Sequence, residues 1–196
     1  MCIVSYRNNF IFYHIPKCGG TSISEIIYPK TNTVKNINHT HLTYLETKEV
    51  FKKNGMLNWF ENANQFAIVR NPKDRMMSFF KYIKQHTNHH LNQRLINHTF
   101  TQFCYFSKNV GDNSIKSCFN HLMNEYGIID KNIKIVKLEN IDSNINTLEN
   151  ITGISFPKNI PISNKSDFKI ENTVESDMVI KLFLKDDYVN FYPELL

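Results

Sequence analysis

Residues 17–22 hold a lysine, two glycines and two hydroxyls within six positions: Lys17, Gly19, Gly20, Thr21 and Ser22, with Cys18 among them. A short apolar run, "FIFYHI", precedes them, and the spacing of an amphipathic helix through Ile23, Ile26 and Ile27 follows. Strand, glycine turn and helix in that order predict an anion site. Backbone N–H groups at a helix start converge on the turn, glycines let the backbone come close, and Lys17 adds a point charge. The pattern is not G-x-x-x-x-G-K-[ST], because its lysine precedes the glycines. A second such place lies in "VRNPKDRMMSFF", where Arg70 leaves an apolar run and Ser78 follows eight residues on. Guanidinium suits phosphate through its planar fork of donors. The bland alternatives are a connecting turn for the first stretch, and for Arg70 an ordinary ion pair with Asp74 or Glu61. Two anion sites at strand ends favour one ligand with two separated anionic ends.

The elements that must carry these residues are readable in outline. Residues 2–6 and 10–14 flank "RNN" as a hairpin, one edge strand and one central strand. A helix is expected from about Thr21, capped by Thr21 and Ser22 and ended by Pro29. The polar, aperiodic stretch 30–41 reads as a loop. "LTYLETKEVFKKNG" has helical spacing and a glycine stop. Phe66–Val69 form a buried strand, and Asn71 and Pro72 open the next helix. Residues 85–120 suggest short helices around loops, with a turn at "NVGDN". Residues 132–141 give a further strand, "IDSNINTLENITGI" a helix capped by Gly153, "FPKNIPISNKSD" a loop, and "TVESDMVIKLFLKDDYVNFY" a last helix with a stripe of Val179, Leu182, Phe183 and Tyr188. Alternating strands and helices predict an α/β chain: a three-layer, P-loop-like fold with a central parallel sheet flanked by helices. Loops after His14 and Val69 then share the sheet edge where such folds bind ligands.

With 196 residues, 41% of them hydrophobic, the chain has enough material for one core, and a single domain over 1–196 is the economical reading. A net charge of +5 favours anionic ligands but is too small and diffuse to argue for nucleic acid. The four cysteines have no paired spacing, and no apolar run is long enough to span a bilayer. The expectation is a soluble, cytoplasmic protein with reduced thiols. His86, His89, His90, His98 and His121, with Cys104 and Cys118, match no zinc spacing and read as scattered polar positions; no metal is expected.

"HIPKCGGTS" followed by "FAIVRNPKDRMMSFF" closely resembles the sulfotransferases that use 3'-phosphoadenosine-5'-phosphosulfate (PAPS), in particular the carbohydrate sulfotransferase branch. In those enzymes the first motif, usually I-P-K-T-G-G-T-S, grips the 5'-phosphosulfate, and the second supplies an Arg and a Ser to the 3'-phosphate. The resemblance implies that Lys17, Cys18, Gly19, Gly20, Thr21 and Ser22 hold the 5' end, and Arg70 and Ser78 the 3' end. "IKIVKLENI" and "DDYVNFYP" resemble a later strand and the closing helix of the family. Cys18 stands where the family has Thr, which removes a hydroxyl contact, and the family's common N-terminal membrane anchor has no counterpart here.

Sulfuryl transfer needs an in-line arrangement and stabilisation of charge on the leaving oxygen, here the 5'-phosphate of 3',5'-adenosine bisphosphate (PAP). Lys17 suits that task, and no metal is required. The acceptor hydroxyl needs a base. In "NHTHLTYLE" the resemblance points to His41, which with Thr43 matches an H-x-T helix start; His39 comes second, and Glu46 is a further possibility. The expected partner is a hydroxyl-bearing acceptor, a glycan first among them. Two other readings stay open: a P-loop-like nucleotide-binding or kinase-like enzyme, and a relative that binds the bisphosphate without catalysing transfer.

Overall fold

The computed structural model describes residues 2–30, 34–37, 41–109, 115–161 and 169–196. In chain order its first half comprises strands β1 (Cys2–Ser5) and β2 (Phe10–Tyr13), helix α1 (Gly20–Ile27), strand β3 (Val34–Ile37), helices α2 (Tyr44–Lys53) and α3 (Leu57–Asn62), and strand β4 (Asn64–Val69). Helices α4 (Pro72–Gln85), α5 (Asn92–Leu95), α6 (Phe100–Asn109) and α7 (Cys118–Leu122) follow. The chain finishes with strand β5 (Ile133–Lys137) and helices α8 (Ile145–Thr152), α9 (Val174–Phe183) and α10 (Lys185–Phe191). Contacts gather into two compact units: Met1–Val69 with Cys118–Ser163, and Arg70–Ser117 with Asn164–Leu196.

The first unit holds a five-stranded sheet in the order β3-β1-β2-β4-β5. β2 and β4 pair in parallel with Phe12 opposite Phe66, and β4 and β5 in parallel with Ala67 opposite Ile135. β1 is antiparallel to both β2 and β3, so it alone runs against the other four. The expected mixed α/β architecture, a mostly parallel sheet flanked by helices, is present. Two expectations are corrected. β1 is an interior strand, because β3 covers its outer side, and β3 lies within the stretch read as a loop. "VKNI" carries no strand period of its own; the open N–H and C=O row of β1 gives it a partner.

Every residue of β2 and all but the first residue of β4 are buried, which is why both read as apolar runs and not as alternating strands. The rings of Phe12 and Phe66 stack at 4.7 Å between these strands. Two buried polar side chains in this core satisfy each other and the backbone: the Tyr13 hydroxyl donates to Gln65 Oε1 at 2.7 Å, and Gln65 Nε2 donates to the Phe60 carbonyl at 2.7 Å.

The second unit is helical. α4 packs against α5, α6 and α9, and the rings of Phe79, Phe80, Phe100 and Phe103 form its core. Lys73 on α4 pairs with Asp177 on α9 at 3.0 Å. The single closing helix expected from the sequence is two helices, broken at Leu184 (φ −106°, ψ 31°). Leu182 accordingly leaves the apolar stripe and is 71% exposed, while Leu184 is fully buried. Of the expected "NVGDN" turn, Asn109 ends α6 and the rest lies outside the described residues.

Candidate active site

β2 and β4 are parallel neighbours, so their carboxyl ends share one edge of the sheet. The first motif leaves β2 at that edge, and the second leaves β4 at Arg70, the residue after the strand. Between Tyr13 and α1 the chain makes a tight turn. Ile15 N–H donates to the Tyr13 carbonyl at 3.1 Å and Cys18 N–H to that of Ile15 at 3.4 Å. Lys17 (φ 65°) and Gly19 (φ 76°) both adopt the left-handed region, on either side of Cys18. For a lysine that conformation costs about 1–2 kcal/mol, and alternation of backbone hand is how a turn aims successive N–H groups at an anion.

Gly19 is also the N-cap of α1, and no side chain caps that end. The expected caps do not form: Thr21 is exposed and Ser22 buried, one and two residues inside the helix. With a glycine at the N-cap, the first N–H groups of α1 face the turn and not a side-chain oxygen. Gly19 is favoured by φ, and both glycines have close neighbours where a Cβ would stand. A Cβ on Gly19 would stand 2.6 Å from Leu138 Cδ1, and one on Gly20 would run into the His14 imidazole. Leu138 follows β5, so a third strand end supplies a wall of the turn.

His14 joins the strand to the loop of His41. Its ring stacks on Phe12, and the two imidazoles meet edge to face at 5.2 Å. His41 Nδ1 lies 2.9 Å from the His14 carbonyl oxygen. A carbonyl only accepts, so Nδ1 carries the hydrogen, and in the neutral ring Nε2 holds the basic lone pair. Burial first, then the neighbouring charges of His41 and Lys17, push His14 down to about 3, which keeps it neutral. Its Nδ1 is buried without a hydrogen-bond partner among the described residues. His39 lies outside the described residues.

Thr43 caps α2 in a capping box, as the H-x-T spacing suggested: its side chain accepts from Glu46 N–H at 3.2 Å, and Glu46 Oε2 accepts from Thr43 N–H at 2.7 Å. Glu46 therefore has a structural task. Cys18 points inward, 1% exposed, with its Sγ 3.7 Å from that of Cys118.

In the second unit, the Asn71 side chain caps α4 by accepting from the N–H groups of Lys73 and Asp74, and Pro72 occupies the first turn. Arg75, 2% exposed, donates through Nη2 to the Lys116 carbonyl at 2.7 Å. These tasks account for Asn71, Pro72 and Arg75 of the motif. Arg70 and Ser78 are half-buried, Ser78 six residues into α4, about 9 Å along its axis from Pro72. Thus the turn residues 17–22 and His41 are gathered in the first unit, and Arg70 and Ser78 belong to the second. Leu138 and Cys118 were not singled out as site residues from the sequence, because nothing local marks a residue that meets the turn from a distant strand or helix. Among the described residues no group of three or more His, Cys, Asp or Glu is arranged to hold a metal ion.

A family model described as the sulfotransferase family matches residues 1–189. The chain belongs to the sulfotransferase family. Among solved structures, the mouse sulfotransferase SULT7A1, crystallised in complex with PAP, is similar to this sulfotransferase chain. The TM-score is 0.51 at 18% identity, over 95% of this chain and 67% of that one. That likeness bears on the fold, which is P-loop-like as the strand–turn–helix reading expected. No match was found among curated proteins. Among the described residues, no helix of this family member is long and apolar enough to cross a membrane.

Proposed function

We propose that this sulfotransferase moves a sulfuryl group from PAPS to an acceptor hydroxyl, with a glycan as first candidate acceptor. The observation that carries the reading is the turn at the head of α1. A lysine is held in the left-handed region there, close to a left-handed Gly19, a Gly20 whose Cβ would run into His14, and a helix end that no side chain caps. PAPS, as substrate, supplies the sulfuryl group and a phosphate leaving group. Lys17 neutralises charge growing on the leaving oxygen, and the backbone of 18–20 with Thr21 and Ser22 grips the 5' end. Arg70 and Ser78 take the 3'-phosphate. His41 accepts the acceptor proton at Nε2, oriented by its bond to the His14 carbonyl. The cap role of Glu46 favours His41 over it as base; His39 stays second. One family model running over 1–189 supports reading both compact units as a single sulfotransferase-like domain. Four buried cysteines, none of them in a disulfide, support a reducing, cytoplasmic setting.

PAP at a hundred times its dissociation constant should stabilise the protein by about 2.7 kcal/mol without added metal. Thermal shift measures this directly, and an equal shift with ATP and Mg²⁺ would overturn the reading. Lys17→Ala should lower transfer from labelled PAPS by about 10²–10³-fold with the fold intact. His41→Ala should lower turnover about 10²–10⁴-fold while PAP binding stays unchanged. Normal turnover in the His41 variant would reassign the base.

A further inference from the structure

Two thiols meet at the anion turn. Cys18 sits between its two left-handed residues, and Cys118 opens α7, a hundred residues away in sequence. Their sulfurs are 3.7 Å apart, one hydrogen-bonded contact, and Cys18 also lies 3.7 Å from the Pro16 carbonyl. The other two cysteines, Cys2 on β1 and Cys104 on α6, are equally buried, but burial pushes both thiols up to about 12, where the reactive thiolate is scarce. Cys18 and Cys118, 1% and 0% exposed, differ from them in having a second sulfur in contact, and Lys17 and Gly19 on either side of Cys18 are half-exposed.

We infer that Cys18 and Cys118 are a redox-modification site, a dithiol that peroxide converts to a disulfide and that thereby deforms the turn holding Lys17. Cys18 thiolate attacks one oxygen of hydrogen peroxide, the O–O bond breaks, and a sulfenic acid and water result. Cys118 thiolate then attacks the Cys18 sulfur, an S–S bond forms, and a second water leaves. The peroxide is reduced and the two thiols are oxidised; a dithiol reductant reverses the change.

The consequence follows from distances. A disulfide needs its sulfurs about 2.05 Å apart, so the bond closes a gap of more than an ångström, through the two side chains and the backbone of the turn that carries Cys18. Packing around the turn is close: a Cβ on Gly19 would meet Leu138, and one on Gly20 the His14 ring. Lys17 and the N–H groups at the head of α1 leave their positions. An ångström of misplacement can lower rate about a hundredfold. The functional part of this inference rests on the turn being the PAPS site; the bond itself does not.

Two readouts separate the parts. The folded protein is treated with hydrogen peroxide, digested, and searched by mass spectrometry for a peptide joining Cys18 to Cys118. That crosslink is expected, reversible by dithiothreitol; its absence while the protein stays folded overturns the inference. PAP affinity is then measured in reduced and oxidised protein. Oxidation should weaken PAP binding about tenfold or more in the wild type, and leave Cys118→Ser and Cys118→Ala unaffected. Equal loss in those variants, or none in crosslinked wild type, overturns the switch. Failure of reduced protein to bind PAP would instead count against the PAPS reading, with the crosslink still judged by mass.

Discussion

Gly20 lies against the imidazole of His14, which is itself stacked on Phe12, so neither ring has a simple way to retreat. Gly20→Ala should therefore cost about 1–3 kcal/mol by overpacking, visible as a lower melting temperature, and should weaken PAP binding as the turn is forced open. His14 also gives a pH signature. Its pKa in the fold, about 3, lies below the ordinary 6.5, so the unfolded chain binds the extra proton between those values. Stability from this source is complete above pH 6.5 and drains as the pH falls toward 3. Melting temperature should drop more steeply over that window in the wild type than in His14→Gln. Parallel curves would mean that the histidine is not held neutral by the fold. At this scale the sequence marked the two glycines of the turn, and each has a close neighbour where a Cβ would stand. It did not mark His14 as the link to His41, because that link is a backbone carbonyl, which every residue type carries.

Helices that carry their own start and stop signals were legible as elements. α2 begins at Thr43 and ends by Gly55, α4 begins at Asn71 and Pro72, and α8 ends at Gly153, all where cap chemistry points. Thr43→Ala should cost about 1 kcal/mol through the lost cap, read by chemical denaturation, with turnover preserved if His41 and not Glu46 is the base. Elements that depend on distant partners were not legible. β3 has a strand's geometry only because β1 needs a neighbour, and the break at Leu184 divides a run whose period looks continuous. That break makes a sharp contrast. Leu184→Ala should cost about 2–5 kcal/mol because it empties a fully buried site. Leu182→Ser, on an exposed side chain, should stay within about 0.5 kcal/mol. Similar losses for the two would restore the continuous helix.

For the whole chain, alternation of strand and helix was enough to give the α/β class, and two motifs were enough to give the family whose model matches residues 1–189. The grouping into two units was not legible, since the sequence has no linker and the division falls between Val69 and Arg70, inside the second motif. Acceptor choice is written in neither motif. The order of strands has a bearing on how the protein is made. Phe12 finds Phe66 only after some fifty residues of synthesis, and β4 finds β5 only once Lys137 has emerged. Long-range parallel pairing of this kind is slow to nucleate. A nascent chain halted before Leu138 would carry the entire "HIPKCGGTS" stretch and yet lack the leucine that backs Gly19. The packing around the turn is thus completed late in translation, well after the residues that give the motif its signature have been joined to the chain.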